Sequence, residues 1–186
     1  TICFFCDQFL AGLRFPPHPF IIKICNHFRL PLGQLVPNSI RLLSGVIVLF
    51  KLNDIPLDPQ IFHYFFYPKQ SEWGTFIFQS RSGFVLFTNM SSSNKHWKEH
   101  FFFMRLPERP TFRTKWQTAV PNQPGLGKFK SHPAYLHAAN QLVGQRYDID
   151  KLLLPGVMYI FGLSPIQADL PCSMSKRFLS PLFLLF

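Results

Sequence analysis

The acidic residues are the first candidates for chemistry in this sequence, and they are too few for a catalytic carboxylate site. The 186 residues contain nine Asp and Glu in total. Cleavage or strand transfer by two metal ions needs several carboxylates in one shared site. Asp54, Asp58, Asp148 and Asp150 are better explained as loop residues or as caps at helix starts. No Asp-Thr-Gly or Asp-Ser-Gly string of an aspartic protease occurs, and we therefore predict that the protein is not an enzyme.

The cysteine and histidine spacings also fall short of a metal or cofactor site. Cys3 and Cys6 have the spacing of half a zinc site, but no second pair follows at a similar spacing. We interpret them as small buried hydrophobes. His96 and His100 are spaced like helical zinc ligands, yet no third ligand is evident, so we interpret them as solvated or hydrogen-bonded histidines without a metal. The string 125–128 lacks the first glycine of a phosphate loop. No metal, cofactor or small-molecule substrate is predicted.

The strongest chemical signal is a basic stretch with aromatic residues between its charges. The chain has 19 Lys and Arg against its nine acids, a formal net charge of +10. Residues 95–130 contain eight basic side chains and two acidic ones. The candidate nucleic-acid-binding residues are Lys95, Lys98, Arg105, Arg109, Arg113, Lys115, Trp116, Lys128 and Lys130.

This stretch has two interpretations. Basic side chains bind phosphates, and aromatic rings stack on exposed bases, so the pattern is typical of nucleic-acid binding. The alternative is a solvated face whose aromatic residues, Trp97, Phe112, Trp116 and Phe129, belong to the core. We favour the second interpretation at this point, because no known nucleic-acid-binding motif accompanies the charge.

The first half of the chain predicts helices separated by prolines. Apolar residues recur every three or four positions over 20–28, which indicates one helix ending near 29–33. A second helix is predicted over 40–52, capped by Asn38 and Ser39, and its nearly uniform apolar character indicates a central, buried position. Asp58-Pro59 is a start signal for a third helix that should stop at Pro68.

Short strands follow, and then a proline-rich and glycine-rich connection. The runs 75–78 and 84–87 predict a hairpin around 79–83, and 100–105 predicts a third strand. Helices are predicted over 133–145 and between Pro155 and Gly162. The predicted fold class is α+β, with N-terminal helices packed on a small antiparallel sheet of about three strands, followed by C-terminal helices.

Several strings in this order resemble the gypsy-type transposon domain of plants, a family often labelled as a transposase. They are Ala11-Gly12-Leu13-Arg14-Phe15-Pro16, Pro19-Phe20, 33–41, 93–103 and 147–153. The resemblance covers roughly Phe9 to Leu170. It implies an origin in Ty3/gypsy-type retrotransposons, usually in a gag-like region, and it carries no assigned catalytic residues.

The resemblance and the composition suggest one domain over 9–170 and an apolar tail of doubtful fold over 171–186. The domain divides into a core (9–105), a basic connection rich in proline and glycine (106–131) and C-terminal helices (132–170). No signal peptide is legible, and the longest apolar run, 42–52, is shorter than the roughly 20 residues of a spanning helix. We expect an intracellular protein of the nucleus or cytoplasm, not secreted and without a membrane partner.

The leading hypothesis is a non-catalytic, retrotransposon-derived module that acts by protein–protein assembly. Its partners would be further copies of itself or other retroelement-derived proteins. The alternative is binding of RNA or DNA through the basic aromatic stretch 95–130. A decayed open reading frame with no selected function is a third hypothesis, suggested by the unusual tail.

Overall fold

The computed structural model describes residues 1–90, 96–106, 110–119 and 133–164. Within these ranges the chain is a mixed α+β fold of short helices and two-stranded sheets. The predicted fold class is therefore confirmed in outline. Some predictions fall outside the described residues. They concern the tail 171–186 and the candidate residues Lys95, Arg109, Lys128 and Lys130.

The N-terminal segment forms a strand and two helices. Strand β1 (Ile2–Phe5) runs directly into the short helix α1 (Cys6–Leu10). Helix α2 (Pro19–His27) begins at a proline, whose fixed φ suits the first helical position and whose missing N–H is not needed there. The predicted helix over 20–28 is confirmed. Strand β1 has no counterpart among the predicted elements.

Helix α3 (Pro37–Leu52) lies at the centre of the core, as its apolar sequence predicts, and most of its residues are buried. The predicted caps Asn38 and Ser39 are wrong, because the helix begins three residues before the predicted start, at Pro37, and Val36 is its N-cap. Ser39 lies inside the helix instead. Its hydroxyl oxygen accepts a buried hydrogen bond from the Phe78 N–H (2.9 Å). This bond ties α3 to the strand that contains Phe78.

Helix α4 (Pro59–Phe65) begins where the sequence predicts. The Asp58 carboxylate accepts a hydrogen bond from the Gln60 N–H (2.7 Å) and so caps the helix. The helix ends earlier than the predicted stop at Pro68. The chain continues without a break into strand β2 (Phe66–Gln70), where the missing N–H of a proline is tolerated at an edge.

The predicted hairpin between 75–78 and 84–87 is wrong. Strand β3 (Phe76–Ser80) pairs antiparallel with β2, so that Phe66 lies opposite Ser80 and Gln70 opposite Phe76. A 3-10 turn over Glu72–Gly74 joins the two strands. The partner of β3 is therefore β2, which precedes it, and not the predicted partner 84–87.

The remaining strands form two further ribbons. Strand β4 (Phe87–Thr88) pairs in parallel with β6 (Tyr147–Asp148), and β5 (Phe101–Met104) pairs antiparallel with β1. The strand predicted over 100–105 is thus confirmed, but its partner is the N-terminal strand. Across the described residues, three two-stranded sheets replace the predicted single sheet of about three strands.

Three short helices complete the described chain. They are α5 (Pro133–Asn140), α6 (Ile149–Leu152) and α7 (Pro155–Ile160). Helix α5 ends five residues before the predicted boundary. Helix α7 has the predicted proline at its first position, and Gly162 follows its end with a φ of 71°, a conformation that glycine adopts without strain. Helix α6 packs on α3, and α5 packs on α4.

The core is rich in phenylalanine rings packed edge to face. The Phe62 ring of α4 lies 5.0 Å from the Phe78 ring of β3 and 6.1 Å from the Phe28 ring near the end of α2. Such pairs add to the free energy gained by burying apolar surface. These contacts join the helices to the β2–β3 ribbon, from whose turn the candidate site projects. No helix in the described ranges is long and apolar enough to cross a membrane.

Candidate nucleic-acid interface

The 3-10 turn between β2 and β3 presents an exposed tryptophan. The backbone N–H of Thr75 donates to the Glu72 carbonyl (3.2 Å), and the Ser71 N–H donates to the Thr75 carbonyl (2.8 Å), which closes the turn. At its centre Trp73 has φ 60° and ψ 27°, a left-handed conformation that is rare for a bulky residue. Its side chain is 80% exposed. The turn therefore holds a large apolar ring in solvent in an unfavourable backbone conformation.

Lys98 joins this turn to a second tryptophan. Its ammonium nitrogen Nζ lies 5.6 Å from the ring centroid of Trp73 and 5.6 Å from that of Trp97. The same nitrogen is 3.8 Å from a carboxylate oxygen of Glu72. A cation over an indole face is attracted by the negative face of the ring. The contacts thus hold two indoles and one positive charge together at the surface.

Trp97 is itself fixed by the N-terminal ribbon. Its ring meets the Phe5 ring of β1 edge to face, with centroids 4.6 Å apart. The turn around it is closed by a hydrogen bond from the Glu99 N–H to the His96 carbonyl (3.0 Å). His96 pairs with the Glu99 carboxylate.

The described part of the basic connection, 110–119, has no regular secondary structure but is attached to the fold along its length. Phe112 is 8% exposed and packs near the Phe15 ring, with centroids 6.4 Å apart. The Asn26 side-chain amide donates to the Thr111 carbonyl (3.0 Å). Farther along, the Gln70 amide donates to the Thr118 carbonyl (2.8 Å). The segment therefore follows a fixed path beside α2 and β2.

The fully buried side chain of Gln34 provides the most extensive of these attachments. Its amide nitrogen donates to the Gln117 carbonyl (2.7 Å) and also to the Gly74 carbonyl, while its oxygen accepts from the Gln117 N–H (2.7 Å). One side chain thus binds the residue after Trp73 and the residue after Trp116. Both tryptophan-bearing segments are anchored to the same point in the fold.

Trp116 lies directly against the turn that carries Trp73. A Cβ added to Gly74 would lie 3.3 Å from the indole nitrogen of Trp116, and the φ of Gly74 is 70°. Glycine is therefore needed here both for its backbone conformation and for the close approach of the indole. Trp116 is 45% exposed. All three tryptophans of the chain are gathered around one turn.

A second buried glutamine supports the residues on either side of Gln34. The side-chain amide of Gln8 donates to the carbonyls of Leu35 (2.6 Å) and Gly33 (3.1 Å), and its oxygen accepts from the Phe5 N–H (2.9 Å). Buried amides stabilise a fold only when their hydrogen bonds are made, as they are here. Gln8 and Gln34 therefore connect the N-terminal segment, 33–35 and both tryptophan loops in one network.

Five of the nine predicted site residues lie in the described part of the chain. Arg105, Arg113 and Lys115 are exposed, and Lys98 and Trp116 take part in the tryptophan cluster. The other four are Lys95, Arg109, Lys128 and Lys130, which lie outside it.

The interpretation that the aromatic residues of this stretch belong to the core is correct for Phe112 and wrong for Trp116. Phe112 is buried, whereas nearly half of the Trp116 side chain is open to solvent. Sequence reasoning also missed Trp73, which lies outside the basic stretch 95–130. The adjacent Gly74 was the one local signal for an exposed turn.

A different exposed surface lies on the outer face of the β1–β5 ribbon. Phe101 is 54% exposed and Phe103 67% exposed, and their rings are 5.9 Å apart. The partly buried Phe5 and Cys3 lie opposite them in register. This outer ribbon face (Cys3, Phe5, Phe101 and Phe103) is apolar and meets the tryptophan cluster through the contact of Phe5 with Trp97.

The acidic residues singled out from the sequence have structural roles. Asp58 and Asp148 cap helices, the latter by accepting from the Asp150 N–H (2.9 Å). Asp150 pairs with Arg41, which ties α6 to α3. Asp54 has a φ of 53° in the turn that follows α3. Over 1–90, 96–106, 110–119 and 133–164, no three His, Cys, Asp or Glu residues are grouped so that they could hold a metal ion.

The fold and the surface together define a small α+β module with a basic face that carries the tryptophans. In the part of the chain that the structure describes, no group of His, Cys, Asp or Glu could hold a metal ion. Residues 2–70 match the model of a family described as "Putative gypsy type transposon". This match supports a gypsy-type transposon domain in that part of the chain and confirms, over these residues, the resemblance to gypsy-type transposons. It spans β1 to β2 and includes both buried glutamines. No curated protein and no solved structure matches the chain.

Proposed function

We propose that the protein is a non-catalytic, retrotransposon-derived module that binds nucleic acid through the surface formed by Trp73, Trp97, Lys98 and Trp116. The observation that carries this proposal is the convergence of the three tryptophans on one turn, with two of them strongly exposed. Exposed aromatic rings beside positive charge are typical of nucleic-acid-binding surfaces. The family match supports the retrotransposon origin.

Charge favours a polyanion as the partner. The whole chain has a net charge of +10, and Arg113 and Lys115, which closely precede Trp116 in the sequence, have exposed side chains. Phosphates bound by such residues release counterions, which makes affinity strongly salt-dependent. An apolar partner would leave these charges without a role.

Salt dependence is the direct test. Fluorescence titration of a labelled 12-nucleotide RNA should give a log–log slope near −3 if about four phosphates are contacted. The double variant R113E/K115E should weaken binding to all sequences about equally and lower the magnitude of the slope by about 1 to 2. R146E/K151E is the matched control, because it makes the same charge change at exposed residues near β6 and α6. Equal effects of the two double variants would contradict a local site.

Self-assembly through the outer ribbon face is the second candidate function. The specific observation in its favour is the pair of exposed rings of Phe101 and Phe103 on a short ribbon. Apolar contacts are not screened by salt, so an oligomer formed in this way should persist at 0.5 M NaCl. Light scattering on wild type and on F101S/F103S tests it. A monomer at all concentrations would rule it out.

A further inference from the structure

We infer, on the basis of the function proposed above, that the surface takes single-stranded nucleic acid, with unpaired bases stacking on Trp73 and Trp116, and that Gln34 is the positioning residue. Trp73 is the first observation in favour of a stacking surface. Its indole is 80% exposed although burial would be favourable, and its backbone is left-handed although the residue is not glycine. Strained residues held in place by their surroundings cluster at binding sites.

The exposed rings can meet only one kind of base. In a duplex the faces of the bases are covered by their neighbours in the stack, whereas an unpaired base can lay its face on an indole. Trp73 precedes Gly74 in the turn and the Trp116 indole lies close to Gly74, so neighbouring bases of one strand can be held on the same turn. Every base has such a face, and the selectivity is therefore for strandedness rather than sequence.

Lys98 prepares the surface for this strand. Its ammonium group lies between the indoles of Trp73 and Trp97 and restrains both rings in the free protein. A ring that is already restrained loses less entropy when a base stacks on it. The same charge is only partly neutralised by the exposed Glu72 carboxylate at 3.8 Å, so it can also attract a phosphate of the bound strand.

Gln34 fixes the separation of the two stacking loops. It is fully buried and does not reach a ligand, but its hydrogen bonds to Gly74 and Gln117 hold the residues that follow the two stacking tryptophans. Without these bonds the two loops would lose their common anchor, while the basic side chains would keep their charge. Loss of Gln34 should therefore reduce stacking more than phosphate binding.

The experiment compares a 12-nucleotide single strand with a hairpin duplex of the same composition in fluorescence anisotropy. Wild type should prefer the single strand by at least about 10-fold. W73A and W116A should each weaken single-strand binding about 5-fold to 150-fold and change duplex binding little, whereas W73F should retain much of the affinity. I160A, which removes an equally exposed apolar side chain from α7, is the control and should have no effect.

Q34M tests the positioning role, because methionine keeps the shape of the side chain and removes its hydrogen bonds. The expected result is a loss of preference for the single strand with an unchanged salt slope on the duplex. This ratio is independent of the folded fraction, since both ligands are measured on one sample. A wild-type preference that persists in Q34M would overturn the role of Gln34.

The outcomes also separate this inference from the proposed function. Salt-sensitive binding with equal affinity for single strand and duplex, or with no loss in W73A and W116A, would overturn single-strand selection and leave nucleic-acid binding in place. No binding of either ligand at low salt would overturn both.

Discussion

At the scale of single residues, Gly74 offers the sharpest test of the tryptophan cluster. Its φ of 70° and the nearby Trp116 indole both disfavour a side chain. G74A should cost about 1–2 kcal/mol of stability through backbone strain. It should also displace the Trp116 ring and weaken nucleic-acid binding. Urea unfolding gives the first effect, and tryptophan emission with the binding titration gives the second.

Gly83 provides a matched control for this substitution. Its φ is 85°, and nothing lies within 4 Å of an added Cβ. G83A should therefore carry a similar strain without changing tryptophan emission or binding. If G83A and G74A had the same effect on both measurements, the contact between Gly74 and Trp116 would have no role in the site.

His18 predicts an acid-sensitive stability. Its Nδ1 accepts a hydrogen bond from the Phe20 N–H and caps α2, and burial together with the nearby Lys51 charge lowers its pKa to about 4. The unfolded chain takes up this proton near pH 6.5, whereas the folded protein resists it. Stability should therefore be complete above about pH 6.5 and should fall as the pH drops toward 4. Denaturant midpoints measured across this range test it.

H18N is the control for this pH dependence. Asparagine can accept the same capping hydrogen bond but does not titrate, so the variant should lose part of the acid sensitivity and keep the helix. Burial also lowers the pKa of His27, which the Asp58 charge partly opposes. A weaker dependence of the same sign should remain in H18N. An unchanged pH profile would show that His18 does not contribute.

At the scale of elements, α6 shows why we propose a non-catalytic role. Asp148 caps this helix, and Asp150 in its first turn binds Arg41. We expect no cleavage when purified protein is incubated with duplex DNA and Mg²⁺ or Mn²⁺. D148N and D150N would then change only stability. Cleavage that disappeared in either variant would contradict this prediction.

The elements also show what the sequence could predict. Helix starts are encoded locally by His18-Pro19, Asp58-Pro59 and Leu154-Pro155, and the helices after them were predicted. The pairing partner of a strand depends on distant parts of the chain, and the strand pairings were not predicted. β5 pairs with β1, almost one hundred residues earlier, and β3 pairs with the chain just before it rather than after it. An alternating apolar and polar pattern predicts a strand but does not identify the strand with which it pairs.

The same limit applies to the candidate site. The charge pattern identified Lys98 and Trp116 because both lie in one basic stretch. Trp73 joins them only through the fold, and Gln34 has no signature in the sequence because a buried amide has no periodic pattern. A site assembled from loops more than twenty residues apart cannot be derived from spacing alone.

At the scale of the whole molecule, the family-matched segment depends on the chain that follows it. The segment 2–70 contains β1, β2 and Gln34, and their partners lie beyond residue 70. β1 pairs with β5, β2 pairs with β3, and Gln34 binds Gly74 and Gln117. A fragment of residues 1–70 would leave these groups unpaired and expose the Phe4 and Phe66 rings. We expect circular dichroism to show no cooperative thermal transition for the fragment, in contrast to the full chain. A cooperative transition would contradict this prediction.

The attachments of 110–119 have a consequence for how this surface can change. Asn26, Gln34 and Gln70 all bind main-chain atoms of the segment, at Thr111, Gln117 and Thr118. A main-chain anchor does not depend on the identity of the residue that it holds. The exposed side chains between the anchors can therefore be replaced while the path of the segment is kept. Evolution or design can in this way change which ligand the segment prefers without changing its backbone path.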